Sequence, residues 1–271
     1  MSLNWPSTFA LLTSVIFRPR LLVPHVSIRD IRQLNYDALR RAGYIGAVFD
    51  KDNCLTLPLQ DDLIPELSDA WAACKAAFGS TRVLVVSNSA GTSDDPAGIQ
   101  AESVSHNLGV PVLKHASKKP GWSCIHDVQS YFRDQLSTSI APPEERKLLV
   151  VGDRLFTDVV LSHRLGYPRS SLPLQTLAVL VEPWDKSDAR LLRYLENAAF
   201  RLAQRLTGQH DRTVRMSSVP DEHAVVQENT RILVGRDDVI PFILTANVAS
   251  NSLQLRPNLQ PNVRTSEWEG N

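Results

Sequence analysis

The segment Asp50-Lys51-Asp52-Asn53-Cys54-Leu55-Thr56 places two carboxylates two positions apart, directly after an apolar run. On extended backbone, side chains at that spacing point the same way, so the two charges repel unless a cation lies between or beside them. A second acidic pair stands in Gly152-Asp153-Arg154-Leu155-Phe156-Thr157-Asp158, again after an apolar run. Four carboxylates converging on one cleft require a hard divalent cation, and an all-oxygen ligand set favours Mg²⁺. Between the two acidic pairs come a hydroxyl in Ser87-Asn88-Ser89-Ala90-Gly91 and the basic loop Lys114-His115-Ala116-Ser117-Lys118-Lys119-Pro120.

Those residues need elements to hold them. Ile45–Phe49 and Lys147–Val151 read as short buried parallel strands ending at Asp50 and at Gly152-Asp153. Arg82–Val86, Val110–Leu113 and Leu177–Val181 are three further strands by the same pattern. Helical spacing runs through Pro65–Phe78, Pro96–Leu108, Ser123–Leu136 and Phe156–Leu165. Repeated strand–helix pairs predict an α/β fold, a parallel sheet flanked by helices, with its ligand beyond the carboxyl ends of the strands. Asp50, Ser87 and Asp153 all fall there.

Other chemistries are excluded by what is missing. No GxGxxG, GxSxG or HExxH occurs, and no glycine–lysine pair that would cradle a nucleotide phosphate. None of the three cysteines has an arginine six positions on, the spacing of a thiolate phosphatase loop, so Cys54, Cys74 and Cys124 read as small buried hydrophobes. Three cysteines in 271 residues do not make a disulfide framework. Lysine plus arginine and aspartate plus glutamate both number 29, which removes the basic field of a nucleic-acid binder.

Residues 1–30 carry Arg18, Arg20 and Arg29 and no acid before Asp30, and the apolar run Phe9–Phe17 is about half the length of a membrane span. The segment suits a bilayer interface, a mitochondrial transit peptide, or a first helix packed on the protein's own core. Asp188–Leu206 reads as an amphipathic helix whose arginines either touch anionic lipid or face solvent. Residues 208–230 read as loop, Ile232–Val234 and Val239–Leu244 as strands or an oligomer contact, and the Asn- and Pro-rich end from Asn251 as mobile.

The ordered set of acids, hydroxyl, lysine and acids resembles the haloacid-dehalogenase-like (HAD) phosphohydrolases, with a Rossmann-like core. That resemblance implies Asp50 as nucleophile and Asp52 as general acid and base. It implies Ser87 and the Asn88 backbone N–H on the phosphoryl oxygens, with Lys119 neutralising nucleophile and phosphate. Mg²⁺ would be held by Asp50, the Asp52 carbonyl and Asp153, with Asp158 supporting that shell. The acid at Asp52 favours phosphate-ester hydrolysis over halide displacement. One departure is Cys54, where the superfamily usually has threonine; Thr56 is the candidate to replace it.

The 30 residues 57–86 and the 30 residues 89–118 each hold one helix and one strand, with no room for a cap domain. An open site suits a large or surface-bound substrate. With LLVPHVS, DKDNCLT, VSNSAG, KKP and GDRLFTDV, residues 20–207 resemble the fungal mitochondrial phosphatidylglycerophosphate phosphatases. The implied function is removal of the terminal phosphate of that lipid in cardiolipin synthesis, at the matrix face of the mitochondrial inner membrane. The implied partners are an anionic phospholipid and a membrane surface met through the N-terminal segment, with no nucleic acid and with room for a homo-oligomer. Lys51, Lys114, Lys118 and Arg154 are candidates for the headgroup, or solvated surface charges. The resulting organisation is an N-terminal segment 1–30, a catalytic core 31–207 and an extension 208–271. Two alternatives stay open: an uncapped phosphatase for a soluble protein or nucleotide, and an inactive scaffold that docks a partner.

Overall fold

A computed structural model describes residues 18–135, 146–166, 174–187, 190–207 and 214–215. The chain enters through a 3-10 turn, Pro19–Leu22, and then runs β1 (Val26–Ile28), α1 (Tyr36–Arg41) and β2 (Tyr44–Phe49). Next come α2 (Ser68–Phe78), β3 (Val83–Val85), α3 (Ile99–Leu108) and α4 (Trp122–Gln135). The last elements are β4 (Lys147–Gly152), α5 (Val160–Leu165), β5 (Gln175–Val181), α6 (Arg190–Thr207) and β6 (Val214–Arg215).

The strands form one sheet in the order β3-β2-β4-β5-β1-β6, every pair parallel. Strand β2 is buried over its whole length, as an apolar strand covered on both faces must be. Along β4, Leu149 and Val151 face one layer of helices while Leu148 and Val150 face the other. The first face packs α1, α2 and α3, with Trp71 edge-on to Phe49 at 5.2 Å and its indole N–H donating to the Leu108 carbonyl at 2.8 Å. A fully buried tryptophan of this kind contributes about 3–5 kcal/mol relative to alanine. The second face packs α4 and α5 through Val128, Phe132, Leu161 and Leu165. Gly46 allows that approach, because a Cβ there would lie 2.6 Å from the Arg82 carbonyl and 2.7 Å from Phe132. A third cluster, Leu22, Val159, Val160 and Ala203, seats α6.

The crossovers leaving β2 and β4 run in opposite directions, to β3 on one side and β5 on the other. Such a switch point opens a crevice beyond the carboxyl ends of the two strands. Asp50 and Asp153 stand at its two lips.

The α/β expectation holds, with local differences. Val110–Leu113 makes a single bridge, Val85 to Val112, because Pro111 has no N–H for a longer ladder. Phe156–Leu165 opens with a π turn, Leu155–Val159, before α5. Strand β1 and helix α1 were not expected. Since β1 pairs with β5 and Leu22 is buried, the boundary expected at residue 30 falls inside the sheet, and the core begins by Pro19. Val214–Arg215, expected as loop, pairs with β1. Residues 1–17 and 216–271, with the readings made for them, lie outside the described residues.

Candidate active site

Asp50 follows β2 with its N–H still on the sheet, donating to the Val151 carbonyl at 2.9 Å. Its Oδ1 accepts from the Lys51 N–H at 2.7 Å and from Lys119 Nζ at 2.6 Å. Lys119 Nζ also donates to Asp158 Oδ1 at 2.7 Å, so one buried ammonium joins the two acidic motifs. Asp153 Oδ2 accepts from Arg193 of α6 at 2.6 Å. Asp50, Asp153 and Asp158 each bring an oxygen to within 4.8 Å of the others. Gly152 makes room for this approach, because any Cβ there would overlap the Asp158 carboxyl.

The electrostatics follow from that crowding. Burial pushes the Asp50 carboxyl well above its usual range, and Asp158 and Asp153 push it further, while Lys119 pulls the other way. Burial and then Asp158 raise Asp153, against the pull of Arg193. Lys119 stays firmly protonated: Asp158 and Asp50 outweigh the burial that opposes its charge. Three buried carboxylates therefore compete for too little positive charge. An all-oxygen donor set with surplus negative charge fits a hard metal ion, and these three aspartates can hold one.

Asp52 stands apart from that cluster. Its Oδ1 accepts from the Leu59 N–H at 3.0 Å and pairs with Lys51 Nζ at 2.8 Å, and its Oδ2 accepts from the Ser89 hydroxyl at 3.1 Å. Ser89 in turn lies 2.9 Å from the Ser87 hydroxyl, so the two loops share a chain of oxygens. Ser87 is buried, and its Oγ accepts from the Ser89 and Ala90 N–H groups. The Asn88 side chain accepts the Lys119 N–H at 2.7 Å and thereby fixes the lysine loop. His115, not singled out in the sequence, bridges the Ser87 and Ser117 carbonyls at 2.9 and 2.6 Å.

The headgroup candidates separate. Lys51 is fully buried and spent on Asp52, Asp61 and the Gln60 carbonyl, so it braces the Asp52 loop and cannot meet a ligand. Arg154 is largely covered, paired with Glu196 of α6 at 3.1 Å. Lys118 pairs with Asp94 at the surface, and Lys114 is exposed beside Gly98. Cys54 is buried with its Sγ 4.0 Å from the Val151 carbonyl, and burial raises its thiol well above the usual range. Thr56 supports the loop instead, its hydroxyl 3.3 Å from the Lys51 carbonyl and 3.1 Å from that of Leu57.

Arg193 and Glu196 are the site residues missed in the sequence. Both sit on a helix that reads as solvated, and only their one-turn spacing, three residues apart, hints at a shared face.

A family model described as mitochondrial PGP phosphatase matches residues 7–169, more than half of the chain. Among curated relatives, the chloroplastic phosphatidylglycerophosphate phosphatase 1 of Chlamydomonas reinhardtii is 39% identical over 171 residues, 63% of this chain and 59% of that protein. The chloroplastic/mitochondrial phosphatidylglycerophosphate phosphatase 1 of Arabidopsis thaliana is 33% identical over 226 residues, 81% of this chain and 56% of that one. The mitochondrial phosphatidylglycerophosphatase GEP4 of Saccharomyces cerevisiae is 34% identical over 149 residues, 55% of this chain and 74% of that one. The match thus spans somewhat over half the length of the two plant and algal relatives.

Proposed function

The chain belongs to the mitochondrial PGP phosphatase family, and from that premise we propose that it is a Mg²⁺-dependent phosphomonoesterase that converts phosphatidylglycerophosphate to phosphatidylglycerol. The observation that carries the reading is Lys119 bridging Asp50 and Asp158, with Asp153 beside them. That is the arrangement a HAD-like aspartyl-phosphate mechanism requires.

Both hydrogen bonds to Asp50 fall on Oδ1, which leaves Oδ2 to attack phosphorus. The new Oδ2–P bond forms as the P–O bond to the glycerol breaks, and protonated Asp52 gives its proton to the departing alkoxide. Asp52 then takes a proton from water as that water attacks phosphorus, releasing phosphate and restoring Asp50. Lys119 offsets charge on the nucleophile, and the Ser87–Ser89 loop receives the phosphoryl oxygens. Asp50, Asp153 and Asp158, with the Asp52 carbonyl, would hold Mg²⁺, which when bound offsets the negative charge of the phosphoryl group.

Two features favour a lipid over a soluble ester. The intervals after Thr56 and Asn88 hold short helices and strands of the core itself, which leaves the crevice open to a surface-bound substrate. Lys114 and Lys118, both exposed on the loop that carries Lys119, are the candidates left to meet an anionic headgroup. No helix among the described residues is long and apolar enough to cross a membrane, which suits a peripheral enzyme on the matrix face of the mitochondrial inner membrane. Phosphate release from phosphatidylglycerophosphate in detergent micelles, with Mg²⁺ and then with EDTA, tests the reading. Metal-dependent release is expected; silence on the lipid with turnover of a soluble phosphomonoester would move the function to a soluble protein or nucleotide.

A further inference from the structure

Helix α6 has two faces with different fates. Its inner face carries Glu196 and Ala203, both buried, and Arg193, bonded to Asp153. Its outer face carries Leu192, Leu195, Leu202 and Leu206, exposed by 42–63% and spaced three, seven and four residues apart. At 100° per residue that spacing draws one apolar stripe along the helix. Beside it Arg201 and Arg205 are exposed, and the exposed Arg18 and Arg20 lie just before and within the Pro19–Leu22 turn that packs against α6. The single carboxylate within Arg190–Thr207 is Glu196, which is buried and paired with Arg154. The exposed surface of this helix, which also carries Tyr194, Asn197 and Ala198, is therefore without any acid.

A second feature lies on the Asp52 loop. The Gln60 N–H donates to the Leu57 carbonyl at 3.1 Å, closing a tight turn with Pro58 and Leu59 at its centre. Leu59 has φ of 63°, a conformation that glycine or asparagine normally supplies at this turn position, yet its side chain is 84% exposed. The strained backbone aims the Leu59 N–H at Asp52, but that bond needs no apolar side chain, and the leucine side chain stands in water. The same loop is tied to the segment leading into α6 by the Asp185 N–H donating to Asn53 Oδ1 at 2.8 Å.

We propose that the outer face of α6, with the Leu59 tip, seats this protein on an anionic phospholipid surface. An apolar stripe flanked by arginines and free of exposed acids is the composition of a helix that lies in a bilayer interface. A second copy fits the same stripe less well. Paired α6 helices would set Arg201 and Arg205 beside like charges, with no carboxylate to answer them. The inference rests on the lipid-phosphatase reading and adds to it the surface that presents the crevice to the membrane. One turn of α6, between Arg193 and Glu196, touches both Asp153 and Arg154, so a helix docked on lipid brings the site to the lipid plane.

The test is co-sedimentation of the full chain with vesicles of phosphatidylcholine, with and without phosphatidylglycerol, and with no phosphatidylglycerophosphate present. Wild type should partition onto the anionic vesicles. Leu202→Asp with Leu206→Asp should lower partitioning at least about tenfold, since two exposed leucines that would enter the bilayer are exchanged for charges. Arg201→Gln and Arg205→Gln should each cost about fivefold on anionic vesicles and little at high salt. Leu59→Gly should reduce partitioning while raising the melting temperature, because glycine relieves the strained φ. Unaltered partitioning in the paired leucine variant, with a native melting temperature, would overturn the proposal. So would a wild-type dimer in sedimentation that the leucine variant dissociates, which would make the occupant a second copy. Micelle hydrolysis by wild type reads the enzymatic assignment separately: its failure would remove that assignment while the vesicle data still judge the helix.

Discussion

Two buried lysines in this protein each sit between two aspartates, and they do different work. Lys51 reaches Asp52 at 2.8 Å, Asp61 at 3.7 Å and the Gln60 carbonyl at 2.7 Å; Lys119 reaches Asp50 at 2.6 Å and Asp158 at 2.7 Å. Around Lys51 the carboxylates keep 30% and 26% of their side-chain surface in water, and a neutral carbonyl completes the ammonium's shell. Around Lys119 the carboxylates are 11% and 4% exposed, and a third, Asp153, closes in. The first arrangement is satisfied and holds a loop. The second has more negative charge than its cations can match, and a surplus buried beside a crevice is what a bound metal ion would offset.

The sharpest way to break this comparison is to remove Asp50, the proposed nucleophile. Asp50→Asn should lower turnover by about 10⁴-fold or more, because no other carboxylate oxygen stands in its place. The same change removes one of three crowded charges, so the variant should melt no lower than wild type in EDTA. Residual turnover near that of wild type would dissolve the distinction between the two lysine sites. Calorimetry beside a phosphate-release assay reads both sides.

Replacing each lysine by methionine separates the sites next. Lys119→Met should cut kcat by about 10²–10³-fold. It should also tighten Mg²⁺ binding, since a competing cation is gone. Lys51→Met should leave Mg²⁺ affinity unchanged and cost about 3 kcal/mol of stability, at the low end for a broken buried pair because Asp52 and Asp61 keep contact with water. Equal effects of the two variants on metal affinity would contradict the division.

The charge surplus also sets a pH dependence. Asp50 and Asp153 titrate above 3.8 in the fold and near that value when unfolded. Between 3.8 and the raised folded values, the folded protein holds more protons than the unfolded chain, so stability in EDTA should fall as pH rises through that window. Saturating Mg²⁺ should flatten the slope by stabilising the charged carboxylates. Melting curves across pH with EDTA and with Mg²⁺ make the check, and parallel curves would count against a metal at these residues.

Much of this was legible in the residues. The apolar runs before Asp50 and Asp153 mark buried strands, and their acidic ends mark the crevice. What the sequence hid were relations across long separations. Nothing near Lys51 says that its ammonium turns inward to Gln60 and Asp61, because a lysine beside two aspartates reads the same whether it braces a loop or meets a phosphate. Arg193 lies 40 residues from Asp153, and helical periodicity alone cannot tell a solvated arginine from one aimed at a carboxylate. Strand β1 was hidden for a different reason: three residues, Val26–Ile28, are too short for an alternating pattern.

The smallest effect tests how the Asp50–Thr56 loop is held. Cys54 occupies a position where threonine would lend a hydroxyl, yet its Sγ lies 4.0 Å from the Val151 carbonyl and contributes little. The loop is closed without it. The Asn53 N–H donates to the Thr56 carbonyl at 2.8 Å, and the Leu55 and Thr56 N–H groups both donate to the Lys51 carbonyl. Thr56 adds its hydroxyl to the same carbonyl, and Asn53 takes the left-handed backbone that the turn requires. Cys54→Thr should therefore change kcat by no more than about twofold and stability by about 1 kcal/mol or less, roughly one net hydrogen bond. Thr56→Val should cost about 1–2 kcal/mol and lower kcat, because it removes the hydroxyl from a buried carbonyl in the loop that carries both Asp50 and Asp52. If Cys54→Thr raised kcat strongly while Thr56→Val were silent, the support would lie at position 54 after all.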